Sequence, residues 1–349
     1  MSQINEKLIR QVFEEMVKSR PGLSKYTMVD EDEEEVDYRI LADQIIKNYP
    51  WPIGIELRRL FSASMRELNR QRLDQIFKTI ERTMQFVSFV MLSQLWQDIL
   101  QKKISIPENV AKELESRLMV LSMGNYAWMI RAIGNLYQES EHDCFMPEMS
   151  EHLDKKFFAA LDFWVPERNE IGHYQINLNQ EEIEKRCVEY EEKLTYILIK
   201  IAFLAKYRLV SVREIRVQKP KNKEARFHHV VDLLNSSDSD FTAREIEEEA
   251  FSESHSVLLM KSIKSFDGYL NLSPLIIDTH SEVLDTKEKF GIKKDIFMYT
   301  KFREDHLMYL GTEVTEKCDL RKMSNYIQLV DEFKQLLASI SPAEATVEP

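Results

Sequence analysis

Arg168, Asn169 and His173 are the residues of this chain whose types and spacing could do chemistry. They stand in the segment Pro166-Glu167-Arg168-Asn169-Glu170-Ile171-Gly172-His173-Tyr174. An arginine and a histidine held close together are a minimal kit for breaking an RNA phosphodiester without a metal ion. Cleavage by the RNA's own 2′-hydroxyl requires a proton to leave that hydroxyl and a proton to reach the leaving oxygen. Histidine, with an ordinary pKa of about 6.5, can perform either step near neutrality. Arginine stays charged and can hold the crowded phosphate through two parallel hydrogen bonds. The spacing of five residues lets the two side chains converge on one side of a turn, and N–H groups near the start of the next helix add donors for an anion. The same residues admit a structural role, with Arg168 paired to Glu167 or Glu170 and His173 capping the next helix.

The elements that must position this segment read as helices. Residues 2–19 form an amphipathic pattern, followed by the acidic run Asp30–Glu35, a solvated stretch. Tyr49-Pro50-Trp51-Pro52 is a stiff turn leading into a main helical domain. From Leu57 to Lys102, apolar residues such as Leu73, Ile76, Phe77, Ile80, Met84, Val87, Met91 and Leu95 recur at steps of three and four. Further helices are expected from Ser105-Ile106-Pro107-Glu108 to about Met123, over 126–138 and over 150–163. A long one over 180–207 carries the heptad-like seam Ile183, Cys187, Tyr190, Leu194, Ile197, Ile201 and Leu204. That seam suits packing along a bundle or across a dimer axis.

The pattern changes after Leu209. Residues 210–217, 227–234, 255–263, 270–277, 295–300 and 306–310 alternate as strands do, with turns at Asn235–Asp238 and Asp267-Gly268 and one helix near Thr242–Ala250. The expected fold class is α+β, mainly α. It comprises an N-terminal helical and acidic extension (1–56), a helical bundle (57–209), a small β-rich domain (210–318), a C-terminal helix (319–340) and a disordered tail (341–349).

The chain has 349 residues and a formal net charge of −12, so no global basic field draws in nucleic acid. Two local clusters could hold RNA phosphates. One is Arg58, Arg59, Arg66, Arg70 and Arg72; the other runs from Lys206 and Arg208 through Arg213, Arg216, Lys219, Lys221 and Lys223 to Arg226. Cys144, Cys187 and Cys318 form neither a disulfide framework nor a zinc knuckle, which suits a reducing cytoplasm. His228 and His229 would face opposite sides of a strand, and with His255, His280 and His306 they match no metal-ligand spacing. No phosphate-binding glycine loop, dinucleotide turn, nucleophile elbow or zinc-protease helix is present. Nothing implies a cofactor or a metal. No apolar run approaches the roughly 18 residues of a membrane span, and the first residues do not resemble a signal peptide.

Arg168-Asn169-Glu170-Ile171-Gly172-His173 resembles the motif of the HEPN superfamily: Arg, a polar residue that is often Asn, three to five further residues, then His. The resemblance covers about residues 57–209 and implies a bundle of four or more helices. Active members are metal-independent endoribonucleases that work as dimers, with two motif copies facing each other across a two-fold axis. Many serve in toxin–antitoxin, CRISPR-associated or other anti-phage systems, and other members only bind. The resemblance therefore implies that Arg168 and His173 are catalytic, that Asn169 supports them, and that RNA is the substrate of a homodimer. The β-rich C-terminal part is then the place for a protein partner or trigger.

Overall fold

The computed structural model describes residues 5–27, 37–140, 142–173, 178–234, 242–248, 253, 256–279, 295–314 and 319–341; the side chains of 171–173 and 242 fall outside that description. The acidic run Asp30–Glu35, the turn Asn235–Asp238, Tyr174, Cys318, His255, His280 and residues 342–349 also lie outside it.

The fold is mainly α, with antiparallel strands confined to the C-terminal region. The helices are α1 (Glu6–Ser19), α2 (Tyr38–Asn48), α3 (Trp51–Leu60), α4 (Arg70–Leu100), α5 (Glu108–Leu118), α6 (Met123–Glu139), α7 (Glu148–His152), α8 (Lys155–His173), α9 (Gln180–Lys200) and α10 (Tyr326–Ile340). Their limits follow local chemistry. Pro52 sits in the first turn of α3, where its missing N–H has no partner to lose. Pro107 precedes α5, with Glu108 in its first turn. Asn179 and Glu182 close α9 with a reciprocal capping box. The break between α3 and α4 divides the single pattern expected over 57–102. The helix expected over 180–207 ends at Lys200, and the seam from Cys187 to Ile197 in α9, with Ile201 and Leu204 just after it, is buried within its own chain and so serves the bundle.

Contacts divide the chain into two units that interleave along the sequence. One comprises 1–86, 151–254 and 258–269; the other comprises 87–150, 255–257 and 270–349. The first half of α4 belongs to one and its second half to the other. In the first unit, Leu8, Val12, Phe13 and Met16 of α1 join Ile80 and Met84 of α4 and Leu194 and Ile197 of α9 among the buried side chains. In the second unit, Phe89 of α4 packs edge-on against Tyr126 of α6, with ring centroids 6.2 Å apart.

The strands are β1 (Arg208–Gln218), β2 (Arg226–Leu233), β3 (Thr242–Glu248), β4 (Val257–Met260), β5 (Tyr269–Asn271), β6 (Ile276–Asp278), β7 (Ile296–Arg303) and β8 (His306–Gly311). One sheet has the order β3-β2-β1-β4-β5 and the other β6-β7-β8. β3 corrects the helix expected near Thr242–Ala250. Its register against β2, from Phe227↔Glu248 to Leu233↔Thr242, places Ile246 in the apolar face with Val210, Val212, Val231, Leu258 and Met260. That burial outweighs the helix preference of the sequence Ala-Arg-Glu-Ile-Glu-Glu. Gly268 takes φ +77 in the expected turn, a conformation open to glycine. In the second unit, Phe333 of α10 packs against Tyr299 of β7 with the rings tilted, their centroids 4.7 Å apart. Asp295, just before β7, is buried, and its carboxylate accepts from the N–H groups of Ile296, Glu313 and Val314 and from Thr312 Oγ1. Among the described residues no helix is long and apolar enough to cross a membrane.

Candidate functional site

The structure places Arg168 and Asn169 in the last turns of α8, not in a loop between helices. The expected end near Phe163 is corrected because α8 continues through Pro166 to His173. A proline inside a helix removes one hydrogen bond and costs about 3 kcal/mol. Burial of Phe157, Leu161 and Trp164 along the same helix offsets that cost. Asp154 starts the helix, accepting the N–H of Phe157 on Oδ1 at 2.8 Å. That contact, with Lys200 at 3.1 Å on Oδ2, holds the Asp154 carboxyl below its usual range.

An aromatic cluster fixes this helix against its neighbours. Trp164 meets Phe77 of α4 at 5.7 Å and Tyr190 of α9 at 5.6 Å, both edge to face. Phe163 meets Tyr190 at 5.6 Å, and Lys193 lies 5.1 Å over the Phe163 ring. One turn further along α8, Tyr190 donates its hydroxyl to Glu167. Arg186 joins Glu170 at 2.8 Å, Glu167 at 3.5 Å and the Tyr190 hydroxyl at 3.2 Å. Burial and the Glu167 hydrogen bond push the Tyr190 phenol up, and the Glu170 contact raises Arg186 above its ordinary value. Arg186 thus takes the pairing with Glu167 and Glu170 that the sequence offered to Arg168.

Arg168 is left exposed. Its side chain keeps 44% of its accessible surface, and Nη2 lies 3.6 Å from Glu81 of α4, a loose surface contact. Asn169 beside it is also exposed. His173 is the last residue of α8, and its side chain lies outside the described residues. Five helical steps rotate the chain by about 500°, so positions 168 and 173 lie about 140° apart around the axis. The convergence expected from the five-residue spacing on one side of a turn therefore does not follow, because the stretch is helix through His173. The end of α8 presents carbonyl groups and the negative end of its own helix dipole, and the next helix, α9, starts at Gln180. Counting Glu81, Glu167 and Glu170 against Arg168 and Arg186, acids outnumber bases around the motif within one chain.

The basic clusters separate in space and in role. Arg72 is wholly buried, donating to Met65 O at 2.7 Å and Asn5 Oδ1 at 2.8 Å and pairing with Glu191. It is therefore a structural cation, not a phosphate ligand. Arg70 pairs with Asp74 at 2.9 Å. Arg58 and Arg59 line a shallow cavity of about 330 Å³ with Ser62 and Ser64, Arg59 reaching Glu56 at 2.8 Å, while Arg66 is exposed nearby in the chain. On the five-stranded sheet, Arg213 pairs with the buried Asp232, and Arg216 lies between Glu214 at 2.9 Å and Glu245 at 3.5 Å. Arg226 pairs with Glu247 at 2.6 Å. Lys219 is exposed at the β1–β2 turn. The run that reads as basic in sequence is thus a face of alternating charge, because β3 brings its acids alongside.

His228 contacts Gln218 at 3.1 Å, whereas His229 is buried against Phe266 at 4.3 Å, and burial lowers its pKa. Among the described residues no group of three His, Cys, Asp or Glu side chains could hold a metal. Sequence patterns gave no sign of the Glu167–Tyr190–Arg186 network, since its members come from two helices and only folding aligns them. Comparison with known proteins finds no matching family model, curated protein or solved structure.

Proposed function

We propose that this chain is a metal-independent endoribonuclease of HEPN type, acting as a homodimer, with Arg168, Asn169 and His173 as its site. The observation that carries the proposal is the contrast among neighbouring arginines. Arg72 and Arg186 are tied to close carboxylates, while among the described residues Arg168, next to an exposed Asn169, has only the 3.6 Å contact with Glu81. A side chain held on a rigid aromatic base but left open to solvent is available to an incoming phosphate. In the reaction, the 2′-oxygen attacks phosphorus and the bond to the 5′-oxygen breaks, leaving a 2′,3′-cyclic phosphate and a 5′-hydroxyl. His173 takes one of the two protons in flight, and a second copy of the motif supplies the other group. Arg168 stabilises the charge on the phosphoryl oxygens. We place this activity in the cytoplasm as an effector of anti-phage defence, with the β-rich region receiving the trigger.

The experiment is cleavage of labelled RNA by purified protein in EDTA, beside Arg168→Ala, Asn169→Ala and His173→Ala. Cleavage by wild type alone among wild type, Arg168→Ala and His173→Ala, with cyclic phosphate ends, supports the proposal. Equal cleavage by His173→Ala sinks it.

A second reading has its own observation. Glu81, Glu167 and Glu170 make the end of α8 acidic, which suits a binding or dimerisation module without chemistry. It predicts intact RNA under every condition together with a stable dimer in solution.

A further inference from the structure

A pocket of about 210 Å³ opens where the end of α1, the end of α2 and the start of β1 meet the end of β2. Three cations line it: Arg20 after α1, Lys47 in α2 and Arg208 at the head of β1. Among the described residues no carboxylate lines it, in a chain whose acids exceed its bases by 12.

The two arginines are held by neutral groups. Arg20 is half-buried, and its Nη1 donates to Asn48 Oδ1. Asn48 is itself buried, and its amide nitrogen is fixed on Gln44 O at 2.8 Å, which keeps its oxygen toward the guanidinium. Arg208 Nη1 donates to the carbonyls of Ala205 and Tyr207, at 2.8 and 2.7 Å. Among the described residues neither arginine has a carboxylate partner. Lys47 reaches Asp43 at 2.7 Å, with both side chains largely exposed. Each guanidinium carries five N–H donors, and these contacts occupy only Nη1 of each. Burial pushes Arg20 below its ordinary pKa, as expected of a cation removed from water without an anion beside it.

We propose that this pocket binds a phosphate dianion, free or as the monoester of a small molecule. Planar guanidinium forks match the paired oxygens of phosphate, and the lysine adds a point charge. With Lys47 already beside Asp43, a single carboxylate would leave one of the two arginines uncompensated, whereas a dianion matches both. The volume falls below the roughly 300–1,000 Å³ of drug-sized sites, so the ligand is small. The lining shares no residue with the Arg168 site, and the inference does not depend on RNA cleavage.

The test is thermal unfolding of the full chain with inorganic phosphate, ribose 5-phosphate or ribose, against sodium chloride at matched ionic strength. A saturable rise in Tm of several degrees is expected with the two phosphates and none with ribose or chloride. Arg208→Gln and the exposed Lys47→Gln should each weaken the apparent affinity about tenfold or more. Lys47→Gln keeps the test valid should Arg208→Gln unfold. Tighter binding of ribose 5-phosphate than of inorganic phosphate assigns a monoester, and equal binding assigns the free ion. Absence of a saturable shift with either phosphate, or an unchanged shift in Lys47→Gln, overturns the proposal.

Discussion

Arg72 and Arg168 belong to the same unit, and the fold treats them in opposite ways. Arg72 is fully buried and joins Asn5, Met65 O and Glu191, tying the start of α1 to α4 and α9. Asn5 reinforces the clasp, its amide nitrogen reaching Leu60 O at 3.4 Å and its backbone N–H reaching Glu191 at 3.3 Å. Arg168 stands at a helix end with one loose acidic neighbour. A buried cation must be paired on nearly every side or the protein does not tolerate it. An exposed cation bears no such demand, so its placement is free for other use. The difference teaches that burial, not charge alone, dictates how completely an arginine must be paired.

The strongest challenge to this comparison is Arg72→Ala. It leaves Glu191 as an uncompensated charge beside the core, and a loss of about 3–5 kcal/mol is expected in urea unfolding. A loss below about 1 kcal/mol would show that the clasp is not structural.

Tyr190→Phe tests the support under Arg168. Removing the hydroxyl leaves the partly buried Glu167 with Arg186 alone, at an expected cost of about 1–3 kcal/mol. Any ribonuclease activity should fall with it, because α8 loses one of its anchors to α9.

Asp154→Ala removes the side-chain cap of α8, worth about 0.5–2 kcal/mol. The effect has a defined pH dependence. The folded Asp154 carboxyl sits below its ordinary range, so its contribution is present above the ordinary aspartate pKa. It fades as the pH falls through the folded value. The difference between wild type and Asp154→Ala should therefore narrow on acidification; a gap that widens refutes the assignment.

Arg168→Ala should change stability least, by no more than about 0.5 kcal/mol, while abolishing RNA cleavage. Stability loss comparable to that of Arg72→Ala would erase the contrast and favour a structural Arg168.

The local sequence carried the helices well where their ends had chemistry of their own. Pro107-Glu108 announced α5, and Asn179-x-x-Glu182 sits at the start of α9. It failed at Pro166, where a proline and a nearby glycine read as a helix end. The reason is tertiary: Phe157, Leu161 and Trp164 bury the helix before Pro166, and Glu167 and Glu170 bind Tyr190 and Arg186 of α9 after it. It failed again at β3, whose acidic residues suit a helix but whose Ile246 fits the sheet's apolar face. In the candidate site, the sequence located Arg168 and Asn169 but not the competition for them. Which of Glu81, Glu167 and Glu170 meets Arg168 and which meets Arg186 is set by how α4, α8 and α9 lie side by side.

Composition and periodicity by themselves determined the class: a mainly helical chain whose strands gather after residue 207, because apolar spacing switches there from a helical to a strand period. Only the tertiary structure decided the state of each charge. Arg72 and Arg58 stand in the same basic cluster of the sequence, yet one is sealed in the interior and the other lines a cavity. Arg20, Lys47 and Arg208, far apart in the chain, meet in one pocket whose described lining holds no acid. A cation's role depends on which groups share its space, and that is fixed by packing between elements rather than by neighbours along the chain.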